Sequence, residues 1–245
     1  MKKFTALAIV LAITVALCTA VFADGSKLHV NKTTFAVGEP ILVTAAGSGT
    51  DWVGIQRTEI KEGQSVGIIG IGPIGLMFAR VAKLMGARVI VAGRNPMKLK
   101  MAEDFAHADE IVDLKKYPNP VKIFKDFSDE NKGLDVAIEC VGLPEIWEQI
   151  FDCVRPGGTV HFFGGCKSGS KVSFDTTKMH YGDIKMLSVF HHTPKYFRKA
   201  FEYIASGEIE VEKLITDTLP LEKVEYAMQQ HIDGKAIKFL IKPWM

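Results

Sequence analysis

The chain has 245 residues, of which 47% are hydrophobic and 24% are charged. This composition excludes a disulfide-dependent miniprotein and a wholly disordered chain, because there are enough apolar residues to build a core. The formal net charge of +2 provides no basic surplus of the kind that nucleic acids or anionic membranes attract. We therefore expect no nucleic-acid partner.

The N-terminus has the pattern of a secretory leader. Lys2 and Lys3 precede a stretch from Phe4 to Ala23 that contains no charged residue. A basic start, an apolar middle and a small-residue exit predict a signal peptide over residues 1–23, with export to the periplasm or the exterior. The alternative is an uncleaved membrane anchor, because the apolar stretch approaches the roughly 20 residues that span a bilayer.

The cysteines indicate a different compartment. Cys140, Cys153 and Cys166 follow the leader, and three cysteines cannot all pair within one chain. Their number and spacing fit neither a disulfide framework nor a zinc knuckle. This usage is typical of a reducing compartment, so the remainder of the chain resembles a cytoplasmic protein.

Residues 24–58 are predicted to form a short β-rich segment. Three β-prone runs lie at 28–30, 35–37 and 41–44, turns that contain glycine follow the second and the third at 38–40 and 47–50, and the segment closes at residues 51–55. Residues 37–41, followed by the closing run, resemble the opening strands of immunoglobulin-like sandwich domains in secreted proteins. A sandwich needs about seven strands, so only part of one is expected here.

From Ser65 onward, predicted strands and helices alternate. The predicted strands cover residues 65–69, 88–92, 110–113, 134–139, 158–163 and 184–190. The predicted helices cover residues 73–85, 96–106, 121–127, 144–154 and 194–206. Alternation with short links predicts an α/β fold with a doubly wound parallel sheet, a Rossmann domain over residues 59–211.

A G-x-G-x-x-G motif lies between the first strand and the first helix. Gly70 permits a tight turn, Gly72 lets the backbone approach a pyrophosphate, and Gly75 allows close packing of helix on strand. Pro73 and Ile74 complete the turn, where amides at the helix N-terminus would face phosphates. The motif predicts a dinucleotide site.

The end of the second strand bears on the choice of dinucleotide. Chains that bind NAD usually carry an acidic residue there for the ribose 2′-hydroxyl. This chain has Gly93 followed by Arg94, and a guanidinium pairs with a 2′-phosphate that a carboxylate would repel. We therefore predict NADP, with NAD as the alternative.

Several segments resemble the medium-chain, zinc-type alcohol and polyol dehydrogenases. They are residues 66–76 around the glycine motif, residues 135–142, residues 154–160, and the Gly164-Gly165 pair after the fifth strand. The similarity runs from about residue 59 to residue 242. It implies a cofactor-binding domain followed by a segment, residues 212–245, that returns to a separate catalytic domain.

The resemblance also implies coenzyme contacts beyond the glycine motif. These fall after the fourth, fifth and sixth strands, at Cys140, Val141, Gly142, Gly164, Gly165, Phe190 and His191. His161 is expected to be a half-buried core residue. Without its partner domain, the C-terminal segment should expose apolar side chains and favour self-association. The side chains expected at that surface are Leu214, Ile215, Leu219 and Val224.

The zinc site that the resemblance implies has no counterpart here. In that family a cysteine, a His-Glu pair and a further ligand precede the coenzyme motif. Before Gly70 this sequence has one cysteine, Cys18, and one histidine, His29, and no His-Glu pair. A catalytic zinc needs three protein ligands and an open position. We therefore expect neither a zinc site nor catalytic residues in this chain.

Three hypotheses for function remain. The first is the NAD(P)-binding portion of an alcohol or polyol oxidoreductase whose catalytic zinc domain is missing. The second is a secreted or membrane-anchored NAD(P)-binding module without catalysis. The third is a chimeric reading frame, joined near Ile55 and Gln56.

Overall fold

The structure, a computed structural model, describes residues 48–191 and 193–244. The predicted leader and the three predicted β-prone runs lie outside the described residues, so those predictions stay untested. Within the described residues, no helix combines the length and the apolar character needed to cross a membrane.

Six parallel strands form the central sheet. They are β1 (Ser65–Ile69), β2 (Arg88–Gly93), β3 (Glu110–Asp113), β4 (Leu134–Glu139), β5 (Val154–Phe162) and β6 (Lys185–Ser188). Their order is β3-β2-β1-β4-β5-β6. The chain therefore starts in the middle of the sheet, runs to one edge and then builds the other half, which confirms the predicted doubly wound fold.

Seven helices accompany these strands. They are α1 (Ser48–Thr58), α2 (Pro73–Leu84), α3 (Pro96–Asp104), α4 (Pro120–Asp126), α5 (Pro144–Phe151), α6 (Thr176–Tyr181) and α7 (Pro194–Ala205). Proline opens five of them, which suits a position whose N–H would have no partner in the helix. Asn95 and Asn119 cap α3 and α4 through their side-chain oxygens, and this satisfies further amides of each first turn.

The core occupies both faces of the sheet. Successive strand residues point to opposite faces, so Ile68 packs with the residues of α2 while Ile69 packs with those of α4 and α5. Because helices cover both faces, the central strands are apolar at nearly every position rather than at alternate ones. This continuity made them the clearest elements in the sequence.

A polar cluster closes the amino end of the central strands. Asp135 of β4 accepts hydrogen bonds from the Ser65 amide at 2.7 Å and from the Ser65 hydroxyl at 2.8 Å. Its other oxygen accepts from Arg155 Nε at 2.9 Å and Nη2 at 2.6 Å. These bonds lower the pKa of Asp135, although burial opposes them as the largest single influence. The cluster joins β1, β4 and β5 at the end of the sheet opposite the glycine motif.

Helix α1 shows that the β prediction for residues 51–55 was wrong. The helix packs against α2 and α7, and it buries Val53 and Ile55. Thr58 is buried as well, and its hydroxyl donates to the Ile55 carbonyl at 2.6 Å. The apolar residues 53 and 55 mimic strand alternation, but tertiary packing stabilises a helix. The junction expected beside Gln56 lies inside this helix.

His161 is more deeply buried than predicted. Its side chain has no exposure, and Phe78 and Phe163 contact it edge-on at centroid distances of 5.5 and 5.9 Å. A Cβ atom on Gly54 of α1 would overlap the imidazole, so the absent side chain lets α1 cover it. Neither ring nitrogen has a hydrogen-bond partner among the described residues. Burial, with a smaller effect of Arg57, lowers the pKa of His161 to about 4.

The C-terminal segment packs on the coenzyme-type domain. It contains β7 (Ile215–Pro220), α8 (Val224–Ile232) and β8 (Lys238–Lys242), and the two strands pair in parallel as a separate sheet. Leu214 and Ile237 are buried in the same apolar cluster as Ile68. The segment therefore has a partner within the described chain.

This packing corrects the prediction of which apolar side chains are exposed. Leu214 is buried, and Ile215, Leu219 and Val224 are half-buried. The exposed apolar residues of the segment are Leu221, Tyr226, Met228, Ile232 and Trp244. Met228 and Ile232 lie one turn apart on one face of α8, and we call this pair the α8 surface.

Candidate functional site

The candidate site lies at the carboxyl ends of the central strands. The strand order reverses between β1 and β4, and ligands of open α/β sheets bind in the crevice at such a reversal. The turn after β1 contacts the ends of both neighbouring strands. Gly70 N donates to the Ala92 carbonyl of β2 at 3.1 Å, and Cys140 N, just after β4, donates to the Ile69 carbonyl at 2.8 Å.

The three motif glycines have different spatial roles. Gly70 has φ of +98°, a conformation that favours glycine, and a Cβ atom there would lie 2.8 Å from the Cys140 carbonyl oxygen. A Cβ atom on Gly75 would overlap the Gly70 carbonyl oxygen. A Cβ atom on Gly72 would meet no atom within 4 Å. Gly70 and Gly75 are thus required by packing, whereas Gly72 faces open space.

Helix α2 presents its N-terminus to that open space. Gly72 is its N-cap residue and Pro73 its first residue, and no described side chain caps the helix. Ile74, in the first turn, is 37% exposed. An uncapped helix N-terminus offers amides and a positive dipole end to an anion. The turn therefore has the shape and the donors that a pyrophosphate requires.

The end of β2 forms one flank of the crevice. The Ile71 side chain packs over Gly93, so a Cβ atom at residue 93 would overlap it. A side chain at the position that carries an acid in many NAD-binding chains would therefore displace Ile71 here. Arg94 is exposed, and among the described residues its guanidinium has neither a hydrogen-bond nor an ion-pair partner.

The loops after β4 and β5 form the other flank. Gly142 has φ of +82°, and a Cβ atom there would lie 2.6 Å from the Gly165 carbonyl oxygen. Trp147 Nε1 donates to the Gly164 carbonyl at 2.9 Å. A Cβ atom on Gly165 would meet no atom within 4 Å. The two loops thus touch at Gly142 and Gly164 and leave Gly165 facing the crevice.

Glu139 lies beneath these two loops. It is fully buried, and its Oε1 atom accepts hydrogen bonds from Val141 N at 2.5 Å and Gly142 N at 2.7 Å. Its Oε2 atom has no hydrogen-bond partner among the described residues. Burial raises the pKa of Glu139, and the amides of Gly142 and Val141 oppose that rise.

Most of the residues predicted for the site come together in this crevice. The glycine motif, Gly93 and Arg94, residues 140–142 and the Gly164-Gly165 pair follow four adjacent strands at one edge of the sheet. Phe190 and His191 follow the outermost strand, β6. Both are exposed, Phe190 at 85%, and their rings touch each other at a centroid distance of 4.4 Å.

Three features of the site were not inferred from the sequence. They are the packing of Ile71 over Gly93, the Trp147 bond to the β5 loop, and the link from Asn95 to Gly234. Asn before Pro predicts that Asn95 caps a helix, but it does not predict the bond to Gly234, 139 positions away. All three features depend on contacts between segments that are separated in the sequence.

The described residues do not supply a metal centre. Among them, no group of three or more His, Cys, Asp or Glu side chains could hold a metal ion. The donors that a zinc site needs are therefore not assembled in this part of the chain.

Known proteins show the same fold and related sequences. Residues 73–206, more than half of the chain, match the zinc-binding dehydrogenase family. D-arabinitol dehydrogenase 1 from Uromyces fabae is 29% identical over 191 residues, which cover 78% of this chain and 54% of that protein. Sorbitol dehydrogenase from Bacillus subtilis is 28% identical over 190 residues, which cover 76% of this chain and 52% of that protein.

Solved structures match as well. A Sinorhizobium meliloti 1021 structure assigned to the zinc-binding dehydrogenases and bound to NADP is 28% identical, with a TM-score of 0.73. The match covers 80% of this chain and 58% of that one. The chain thus spans about half the length of the curated relatives it matches. By its sequence match and its doubly wound sheet, the chain belongs to the zinc-binding dehydrogenase family and contains that family's nicotinamide-dinucleotide-binding domain.

Proposed function

We propose that this chain binds NADP in preference to NAD, as the coenzyme-binding portion of an alcohol or polyol oxidoreductase. The observation that carries the proposal is the open space in front of Gly72, at the uncapped N-terminus of α2 and at the reversal of strand order. A bound nicotinamide ring accepts or donates a hydride. The residues of this chain hold and orient the dinucleotide.

The proposed pose follows from the order of the loops. The pyrophosphate lies at Gly72, where helix amides and the dipole favour an anion. The adenosine half extends over Gly93 toward Arg94, whose exposed guanidinium pairs with a 2′-phosphate. The other nucleoside then extends across the loops that contain Val141 and Gly165. Phe190 and His191 are proposed to contact its far end.

The preference for NADP is supported by two observations on one flank. Gly93 carries no acid and lies under the Ile71 side chain, and Arg94 has no competing partner among the described residues. The relative from Sinorhizobium meliloti that contains NADP agrees with this assignment. Calorimetric titration of the full chain with NADP and with NAD tests the proposal. Tighter binding of NADP is expected, and absence of binding by either dinucleotide would refute it.

The substrate class is proposed from the relatives alone. The matches include D-arabinitol and sorbitol dehydrogenases, which suggests an alcohol or polyol. A second candidate function is a non-catalytic NAD(P)-binding module. The observation that favours it is that the described residues assemble no metal-ligand set. Both candidates predict that this chain alone binds NADP without reducing it, so alcohol-dependent reduction of NADP by the chain would exclude the second.

We also propose self-association through the α8 surface. Met228 and Ile232 lie one turn apart on α8 and are 60% and 74% exposed. Exposed apolar side chains that cluster in this way commonly mark interaction surfaces. Replacement of both by lysine should shift the sedimentation coefficient of a concentrated sample toward that of a monomer. If the parent protein associates and the double variant has the same sedimentation coefficient, the α8 surface is not the interface.

Export is proposed from the leader alone. Residues 1–23 carry the secretory pattern, and cleavage after Ala23 would leave a mature chain that begins at Asp24. The alternative is retention of the apolar stretch as a membrane anchor. N-terminal sequencing of the protein from fractionated bacterial cells distinguishes the two. A full-length N-terminus in the cytoplasmic fraction would contradict both.

A further inference from the structure

Glu139 is a carboxyl side chain in a largely hydrophobic strand, where packing alone does not require a polar group. The side chain is fully buried at the carboxyl end of β4, in register with Ile69 of β1 and Phe162 of β5. A buried carboxyl group is costly unless hydrogen bonds compensate it. Its hydrogen bonds come from the amides of Val141 and Gly142 at 2.5 and 2.7 Å, and Trp147 and Gly164 add to the compensation.

The same residue also determines the path of the neighbouring loop. The Glu139 carbonyl oxygen accepts from Phe163 N at 3.1 Å and from Gly164 N at 3.0 Å. A Cβ atom on Gly164 would lie 2.6 Å from Glu139 Oε2. Main chain and side chain of one residue therefore hold the β4 loop and the β5 loop together. Both loops lie on the flank of the crevice opposite Arg94.

The fixed shape of this flank matters because glycine backbone forms part of its surface. Gly142 and Gly165 offer no side chains that could adjust to a ligand, so the position of their backbone decides the fit. Two amides that point inward to a carboxylate also keep the loop backbone from rotating toward the crevice. Loops that are ordered before binding avoid the entropy cost of ordering during binding.

We propose that Glu139 is a positioning residue that pre-forms the surface for the non-adenosine half of the dinucleotide. The inference rests on the proposed function, since it assumes a dinucleotide laid across Gly72 with its adenosine half toward Arg94. Glu139 itself touches no ligand, because it is buried beneath the loops. Its removal should weaken binding of the whole dinucleotide and leave binding of the adenosine half unchanged.

The test compares two ligands and two substitutions in the full chain. Glu139→Leu should weaken NADP binding by roughly tenfold or more, the effect of losing hydrogen bonds to a charged group. It should leave the affinity for 2′,5′-ADP, which contains the adenosine half and the 2′-phosphate, within about twofold. Glu139→Gln keeps an oxygen acceptor for both amides and should restore NADP binding to within about threefold.

Asp135 provides the matched control at the other end of the same strand. It is a partly buried carboxylate that, like Glu139, joins neighbouring strands, here through Ser65 and Arg155. Asp135→Leu should lower the melting temperature without changing either affinity beyond the effect of partial unfolding. A readout without ligand is hydrogen exchange at Val141 and Gly142. Exchange there should accelerate in Glu139→Leu, remain slow in Glu139→Gln, and remain slow in Asp135→Leu.

The possible outcomes distinguish failure of the proposed function from failure of the positioning role of Glu139. If the parent chain binds neither dinucleotide, the proposed function fails. If the parent binds NADP and Glu139→Leu binds it equally well, the positioning role is refuted. Equal weakening of NADP and 2′,5′-ADP by Glu139→Leu would also refute it, because the effect would then be general to the domain. If Glu139→Leu does not fold, Glu139→Gln decides the question. Weakened NADP binding in Glu139→Gln, with hydrogen exchange at residues 141 and 142 unchanged from the parent, would also refute the positioning role.

Discussion

Asn95 Nδ2 donates a hydrogen bond to the carbonyl oxygen of Gly234 at a distance of 2.8 Å. The two residues are 139 positions apart in the sequence. The side-chain oxygen of the same asparagine accepts from Met97 N at 3.0 Å and caps α3. One side chain therefore joins the C-terminal segment to the domain next to Arg94, the residue proposed to select the 2′-phosphate.

The first prediction concerns this link. Asn95→Ala should lower the free energy of unfolding by about 1–2 kcal/mol, because it removes a helix cap and the bond to Gly234. Urea denaturation measures the loss. Asn119→Ala is the matched control, since Asn119 caps α4 ahead of a proline and has no bond to the C-terminal segment. Only Asn95→Ala should accelerate hydrogen exchange at residues 234–237, and equal exchange in both variants would contradict the link.

The second prediction concerns Gly72. Gly72→Val should abolish calorimetric binding of NADP and NAD, because the branched side chain would occupy the place of the pyrophosphate. The protein itself has room for it, since a Cβ atom at residue 72 meets no atom within 4 Å. The melting temperature should therefore stay near that of the parent. If Gly72→Val folds and binds the dinucleotides with parental affinity, the glycine motif is not the pyrophosphate site.

The third prediction concerns Arg94. Arg94→Ala should reduce the difference in binding free energy between NADP and NAD by about 1.5–3 kcal/mol, the contribution of a hydrogen bond to a charged group. Affinity for NAD should change little. Lys100→Ala removes another exposed cation, on α3 and paired with Asp104, and should leave the difference intact. Equal affinities of the parent protein for NADP and NAD would refute the proposed selection of NADP by Arg94.

The fourth prediction concerns acid stability. His161 has a folded-state pKa of about 4, below its ordinary value of 6.5, so the unfolded chain binds the proton more readily between those values. Stability that is present above pH 6.5 is therefore lost as the pH falls toward 4. Between pH 7.5 and pH 5 this group should lower the free energy of unfolding by about 2 kcal/mol.

Two substitutions check that histidine titration causes the loss. His161→Leu and His161→Gln cannot titrate in this range, so each should lose about 2 kcal/mol less stability than the parent over the same pH interval. Urea denaturation at both pH values measures the difference. A parental slope in either variant would show that other groups carry the acid sensitivity.

The fifth prediction concerns catalysis. The full chain is expected to contain no stoichiometric zinc and to reduce no NADP with alcohols or polyols above background. Metal analysis and a panel of substrates test both expectations together. One tightly held zinc per chain, with turnover that is lost on chelation, would show that residues outside the described part complete a catalytic centre.

The central sheet could be predicted from the sequence because its signals are local. β1 and β4 are short apolar runs. Each is followed by a loop that contains glycine and then by a helix that begins at proline. The glycine motif was recognisable for the same reason, since each of its residues has a role within one turn. Predicted boundaries differ by a few residues, most at β5, which begins at Val154 rather than at residue 158.

Features that depend on distant contacts could not be predicted. Residues 51–55 have a strand-like pattern, and their helix is stabilised by packing against α2 and α7. Leu214 looked exposed because its expected partner was a missing domain, whereas it enters the core of the coenzyme domain. His161 gave no sign that a glycine in α1 would let the helix cover it. In each case the deciding residue lies in another segment of the chain.

The position of β1 in the middle of the sheet has a consequence for synthesis on the ribosome. Its partner β2 follows soon after it, but the bond between Ser65 and Asp135 of β4 spans 70 residues. At about 5–20 residues per second, one edge of β1 waits roughly 4–14 s for its partner. During that interval an apolar strand has an unpaired edge, the kind of surface that recruits other chains. The nascent chain is thus most vulnerable to aggregation before β4 is complete, and a chaperone that shields β1 would act in that interval.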